Sequence, residues 1–292
     1  MKWNGLKRSS NVEDIRASGS VGSGRISSGM LINIVKILLG TKIGRIVFVI
    51  GAIAYFMGYN PLAFLDMTSA STQNTKVELS QKDETNAQFV SAVLAQTEEI
   101  WHQQFLLLKA EYKEPKLVLF RGSVNSACGF ASAQIGPFYC PVDKKVYLDL
   151  GFFDELKLRH NAPGDFAQAY VIAHEIGHHV QNLVGTLKKS NQQKSVSDTK
   201  EANGVQVKVE LQADCYAGIW AYHVNKKGTI IEKGDIEEAL NAASAIGDDT
   251  LQKQAKGYVT PDSFTHGSSK QRMKWFTLGF NSGNIAACNT GI

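Results

Sequence analysis

The sequence predicts an α+β fold, mainly helical with a small antiparallel sheet, preceded by one transmembrane helix. Three observations carry this. From residue 83 onward apolar residues recur at helical spacing in most segments, separated by polar or glycine-marked breaks. Between residues 116 and 150 the apolar runs are short and bounded by turn formers, as expected for a few strands inserted after the first helix. From Ile46 to Leu65, IVFVIGAIAYFMGYNPLAFL, no charged residue occurs; about 20 apolar residues span a bilayer core as a helix.

Charge sharpens this division. The formal net charge is +4, but residues 1–65 carry eight Lys/Arg against two Asp/Glu, whereas the rest carries 23 against 25. A near-neutral body excludes a nucleic-acid-binding protein, which would show a basic patch in its folded part. Residues 1–29, with ASGSVGSGRISSG, read as a flexible basic cytoplasmic tail. Residues 30–65 read as a membrane anchor with its span at about 46–65, led by LINIVKILLGTKIGR and ending near Tyr59 if Asn60-Pro61 breaks it. A cleaved signal peptide fits poorly, because a long polar stretch precedes the apolar run and no A-x-A site follows. All eight basic residues before position 65 precede the run, so the positive-inside rule places the N-terminus in the cytoplasm and the remainder outside. This gives a single-pass membrane protein with an extracytoplasmic body. Residues 66–82 read as a linker, and 83–292 as the domain.

The four cysteines, Cys128, Cys140, Cys215 and Cys288, form no C-x-x-C pair, so a zinc ribbon is excluded. An even count on an oxidising side points to two disulfides. Of the three pairings we favour Cys128–Cys140, closing a short loop, with Cys215–Cys288, tying the C-terminus to a core helix.

Within the domain, NAQFVSAVLAQTEEIWHQQFLLL places Phe89, Val93, Ile100 and Phe105 at helical spacing. After Pro115, KLVLFRG is a strand, and GPFYCPVDKKVYLDL is two strands around Asp143-Lys144. GFFDELKLR is a short helix. A longer one runs from about Phe166 to Val184, stopped by Gly185. Residues 186–200, TLKKSNQQKSVSDTK, read as an exposed loop. Helices follow from about Ala202 to Lys227, after Asp235, and from near Ser268.

The chemistry lies in VIAHEIGHHVQNLVG, residues 171–185. His174 and His178 are four apart, so both imidazoles fall on one helical face and can reach one ion. Glu175 is offset so that its carboxylate can reach a water without coordinating the metal, the H-E-x-x-H arrangement with Glu175 as general base. His179 points about 100° away from His178 and reads as an outer or surface residue. Gly177 permits close approach of another chain segment. A helix with surface histidines would read the same from this stretch alone. VELQADCYAG, residues 209–218, decides against that. Glu210 and Asp214 share a face; Glu210 supplies the third ligand that a catalytic zinc needs, and Asp214 can accept from the far nitrogen of a ligand histidine and fix its tautomer.

HEIGH followed by ELQAD resembles the gluzincins. KWNGLKRSSNVEDIR, ACGFASAQIGPFYCPVDKKVYLDLGFFDEL, VELQADCYAGIWA and DSFTHGSSKQRMKWFTLGFNSG resemble, in order along most of the chain, the bacterial neutral zinc metallopeptidase family. The resemblance implies a zincin-like, minimal gluzincin domain, one Zn2+ per chain, an N-terminal membrane anchor and a peptide or protein substrate. Candidates to stabilise the oxyanion are His223, His266, Tyr216, Tyr222 and Arg272. FTHGSSKQR is similar to the histidine loop and arginine that follow the ligand helix in membrane gluzincins, which selects His266 with Arg272 as helper. His223, nine residues past Asp214, faces away from the site, and His160 is a loop histidine. GPFYC is the candidate edge strand for an extended substrate, since Pro137 suits an edge.

The expected activity is peptide hydrolysis by zinc-activated water. The alternative is a non-catalytic or latent zinc-binding periplasmic interaction protein on a peptidase scaffold. An intact Glu175 argues against it, because a purely structural site has no use for a base.

Overall fold

Burial of the apolar helix faces organises the chain. The computed structural model describes residues 1–18 and 79–292 except 229; the apolar stretch 46–65 and most of the expected linker lie outside the described residues. Among the described residues no helix is long and apolar enough to cross a membrane.

In chain order the elements are β1 (Val12–Asp14), α1 (Gln81–Leu107), β2 (Lys116–Phe120), β3 (Ser123–Ser126), β4 (Gly129–Ser132), β5 (Phe138–Cys140), β6 (Lys145–Asp149), α2 (Gly151–Leu158), α3 (Asp165–Leu183), α4 (Thr186–Lys194), α5 (Thr199–Lys226), α6 (Asp235–Ala245), α7 (Asp248–Lys256) and α8 (Ser269–Ser282). The mainly helical α+β reading holds. One core joins α1, α3, α5, α6 and α8 to one face of the sheet, with Trp101, Trp220, Tyr170, Phe166 and Phe276 buried in it. The aromatic pairs Phe166–Trp220 and Tyr170–Phe276, each with centroids 5.5 Å apart, pack α5 and α8 against α3.

The sheet has the order β1-β2-β6-β5. The expected β5–β6 pair is antiparallel, as is a separate β3–β4 hairpin; β1–β2 and β2–β6 pair in parallel. β5 is therefore an edge strand, with Pro137 just before it. Both favoured disulfides are present, Cys128–Cys140 beside β5 and Cys215–Cys288 between α5 and the C-terminus.

Two expectations are corrected. The flexible tail assigned to residues 1–29 is folded over its described part: β1 joins the sheet, and Met1 and Arg16 are buried. The loop assigned to 186–200 holds α4, and α5 starts earlier than expected, capped by Asp198, whose side chain accepts from the Glu201 backbone N–H. Lys and Gln are good helix formers, but α4 buries only Ser190 completely, so it lacks the apolar stripe that marks a helix in sequence.

Helix ends follow local chemistry. Gly185 takes a positive φ after α3. Ser268 forms a capping box with Gln271 at the start of α8.

Candidate active site

The site lies where α3 crosses α5. Gly177 makes the crossing close: a Cβ there would come 3.0 Å from the Ala213 carbonyl oxygen. The face of α3 carrying His174 and His178 is thereby set against the face of α5 carrying Glu210 and Asp214.

One carboxylate oxygen of Glu210, Oε2, lies 3.1 Å from His174 Nε2 and 3.3 Å from His178 Nε2. The three ligand atoms all lie within 4.8 Å of one another. Each has its orientation fixed from outside. His174 Nδ1 is 2.7 Å from Asp214 Oδ1, so this nitrogen donates and leaves Nε2 for the ion. His178 Nδ1 donates to Gln181 Oε1 at 2.9 Å, and Gln181 is itself held by the Val209 carbonyl of α5. The other Glu210 oxygen, Oε1, accepts from Gln206 Nε2 at 2.8 Å, and Gln206 Oε1 accepts from Lys194 Nζ on α4 at 2.7 Å.

Asp214 is fully buried and saturated. Besides His174 it accepts from Tyr170 Oη at 2.5 Å and from Arg272 through Nε and Nη2, both at 2.9 Å. Burial would raise its pKa, but the Arg272 guanidinium and His174 outweigh it and hold Asp214 at about 2. Arg272 therefore lies behind the ligands, its other hydrogen bonds going to Tyr170 Oη and the Ile246 carbonyl. Arg272, expected as the helper of His266, is held on Asp214 through two hydrogen bonds.

The field at the three ligands favours a cation. Burial opposes a charged His174, yet Asp214 and Glu210 outweigh it and raise the imidazole to about 9. For Glu210, burial is again outweighed, here by the two histidines, which hold it well below the ordinary carboxylate range. Two imidazole nitrogens and one carboxylate oxygen are the donor set of a catalytic zinc, so the residues fit the ion.

Glu175 is 7% exposed, and burial raises its pKa. It opens into a cleft of about 600 Å³, whose walls include His174, His178 and Glu210, the run Gln134–Tyr139 on the β5 side, Leu187, Asn191 and Lys194 of α4, and His266. His266 sits on the cleft with its side chain half exposed, and its Nδ1 lies 3.3 Å from Asp248 Oδ1. Asp248 also accepts from the backbone N–H groups of Thr265, His266 and Gly267, fixing the loop. The hydrogen bond to Asp248 raises the His266 pKa.

The remaining histidines are accounted for. His179 is no surface residue: it is 1% exposed, with Nε2 donating to the Lys113 carbonyl at 2.6 Å and Nδ1 accepting from Tyr139 Oη at 3.0 Å. It ties the metal-binding helix to the edge strand β5. His223 lies away from the site, between Gln104 and the Gly283 carbonyl. His160 lines the cleft, and His102 pairs with Glu114. Tyr216 packs on Trp101 in the core. The residues that sequence reasoning missed are Tyr170, Gln181, Lys194, Gln206 and Asp248.

The family model described as "Putative neutral zinc metallopeptidase" matches residues 1–291. The chain is 44% identical over 295 residues to the uncharacterized protein YpfJ of Escherichia coli (strain K12), covering 99% of this chain and 98% of that protein. It is 46% identical over 189 residues to the uncharacterized protein Mb2605 of Mycobacterium bovis, covering 61% of this chain and 63% of that one. No solved structure matches it significantly.

Proposed function

The chain belongs to the neutral zinc metallopeptidase family, gluzincin in type, and from that premise we propose that it is a membrane-attached endopeptidase acting on extended peptide segments. The observation that carries the reading is the position of Glu175. It is one residue from a ligand, buried, and open to the same cleft as His174, His178 and Glu210.

His174, His178 and Glu210 would hold the zinc, which would supply Lewis acidity toward a water and the scissile carbonyl. The chain's own groups do the rest. Glu175 takes the proton of the attacking water and returns it to the leaving amine; burial raises its carboxyl pKa, which favours holding the proton between the two steps. His266, steadied by Asp248, presents its free edge to the cleft and is the donor we assign to the developing oxyanion. Arg272 and Tyr170 act through Asp214: they fix the carboxylate that fixes His174. An extended substrate adds to the free edge of β5, which His179 and Asn182 hold beside the ligand helix through Tyr139 Oη.

The apolar run 46–65 supports attachment to a bacterial inner membrane. The two disulfides support an oxidising, extracytoplasmic side for the body.

The test is cleavage of a peptide library by the full chain in detergent, beside the Glu175→Gln variant, with zinc measured on both. The expected result is one zinc per chain in each and a rate loss of roughly 10²–10⁴ in the variant. Equal cleavage by both proteins refutes the role of Glu175, and zinc-loaded protein that cleaves nothing favours a binding function on the same scaffold.

A further inference from the structure

We propose that residues 1–17 and the peptidase body lie on the same side of the membrane. The inference rests on reading 46–65 as the membrane-attached stretch, and it replaces the single-pass orientation expected from charge alone.

The first observation is that the N-terminal segment is built into the body. Val12, Glu13 and Asp14 pair in register with Leu117, Val118 and Leu119, making β1 the edge of the sheet opposite β5. The Lys2 N–H donates to the Ile230 carbonyl at 2.7 Å. Ser9 Oγ and Asn11 Nδ2 donate to one buried carboxylate, Glu98 of α1, at 2.5 and 2.9 Å. The Met1 ammonium pairs with Asp165 of α3 at 2.6 Å and Asp235 of α6 at 3.2 Å. Contacts to the sheet and three helices cannot be made across a hydrocarbon core about 30 Å thick.

The second observation is that the chain departs and returns at one place. Arg16, 1% exposed, donates through Nη1 to the Asp83 carbonyl at 2.8 Å and through Nη2 to Glu84 at 3.1 Å, both in the first turn of α1.

The third is arithmetic on the sequence. The charge-free run covers residues 46–65, and the 15 residues before it, 31–45, include Lys36, Lys42 and Arg45. A second span needs at least about 17 predominantly apolar residues, so the stretch has material for one crossing. A single crossing would part β1 from β2. The pairing of β1 with β2 therefore keeps residues 1–17 and the body on one side.

The test uses the full chain in cells, with single cysteines at exposed positions of both parts: Asn4→Cys and Ser10→Cys in the N-terminal segment, and Lys256→Cys at the end of α7. Reaction with a membrane-impermeant maleimide in intact spheroplasts is read as a fraction of the reaction in lysed cells. The expected result is the same fraction at all three positions, whether high or low. A high fraction at Lys256→Cys with low fractions at Asn4→Cys and Ser10→Cys, or the reverse, overturns the proposal. Alkaline extraction of the same membranes reports on attachment separately: protein released by it refutes the membrane reading of 46–65 while leaving the shared side to be judged by the labelling.

Discussion

Replacing His179 by Gln should flatten the acid limb of the stability curve while leaving zinc in place. The imidazole is buried between α3, β5 and the Lys113 carbonyl, and its two nitrogens already have one donor and one acceptor role filled. A second ring proton would displace the Tyr139 hydroxyl from Nδ1 and charge a buried ring. Burial accordingly pushes the His179 pKa down to about 4, from 6.5. The sign follows directly. Between those two values the unfolded chain binds the proton and the folded chain does not, so stability is full above 6.5 and falls as pH drops through the window. The whole gap corresponds to about 3 kcal/mol, of which about 1.5 kcal/mol falls between pH 6.5 and about pH 5. Urea unfolding of zinc-loaded wild type and His179→Gln, followed by tryptophan fluorescence across that range, measures the difference in slope. Contributions from the zinc ligands and surface carboxylates are common to both proteins and cancel. Parallel curves would refute the argument, since they would mean that His179 accepts its proton equally in both states.

Three further outcomes follow from the surroundings of the site. Gln206→Ala frees one oxygen of Glu210, and zinc affinity by chelator competition should fall by about 10–100-fold; Lys194→Met, one hydrogen bond further out, should fall by less. Arg272→Met leaves Asp214 buried without its ion partner and should cost about 3–5 kcal/mol, while adding Asp214→Asn should recover part of that in a double-mutant cycle. Gly279→Ala places a methyl group into the Cys215 carbonyl at the α5–α8 contact; the resulting overpacking should cost at least about 1–3 kcal/mol in thermal or urea unfolding.

How far these features could be read from the sequence depended on the range of the interactions that create them. Intervals of four residues on one helix fix a face regardless of the rest of the fold, so His174, His178, Glu210 and Asp214 were legible as two facing pairs. Helix ends marked by Gly185 and Ser268 were legible for the same local reason. β1 was not: it is three residues long and pairs in parallel with a strand about a hundred positions away, a contact that leaves no period in the chain. α4 was hidden by its polarity, since it packs its few contacts against α3 and α5 rather than offering an apolar stripe.

The groups that steady the ligands occupy an intermediate position. Tyr170 stands four residues before His174, Gln206 four before Glu210, and Gln181 three after His178. Each lies on the face already assigned to a ligand, so the rule that paired the ligands also nominates their supports. What sequence could not supply is the partner across the helix crossing: Tyr170 reaches Asp214, Gln181 reaches Val209, and Lys194 reaches Gln206. The first two exist because Gly177 lets α3 approach α5 so closely, and the third because α4 packs beside α5. A polar residue one turn from a metal ligand is therefore worth nominating from sequence, and the closeness of the helix crossing decides whether it has something to hold.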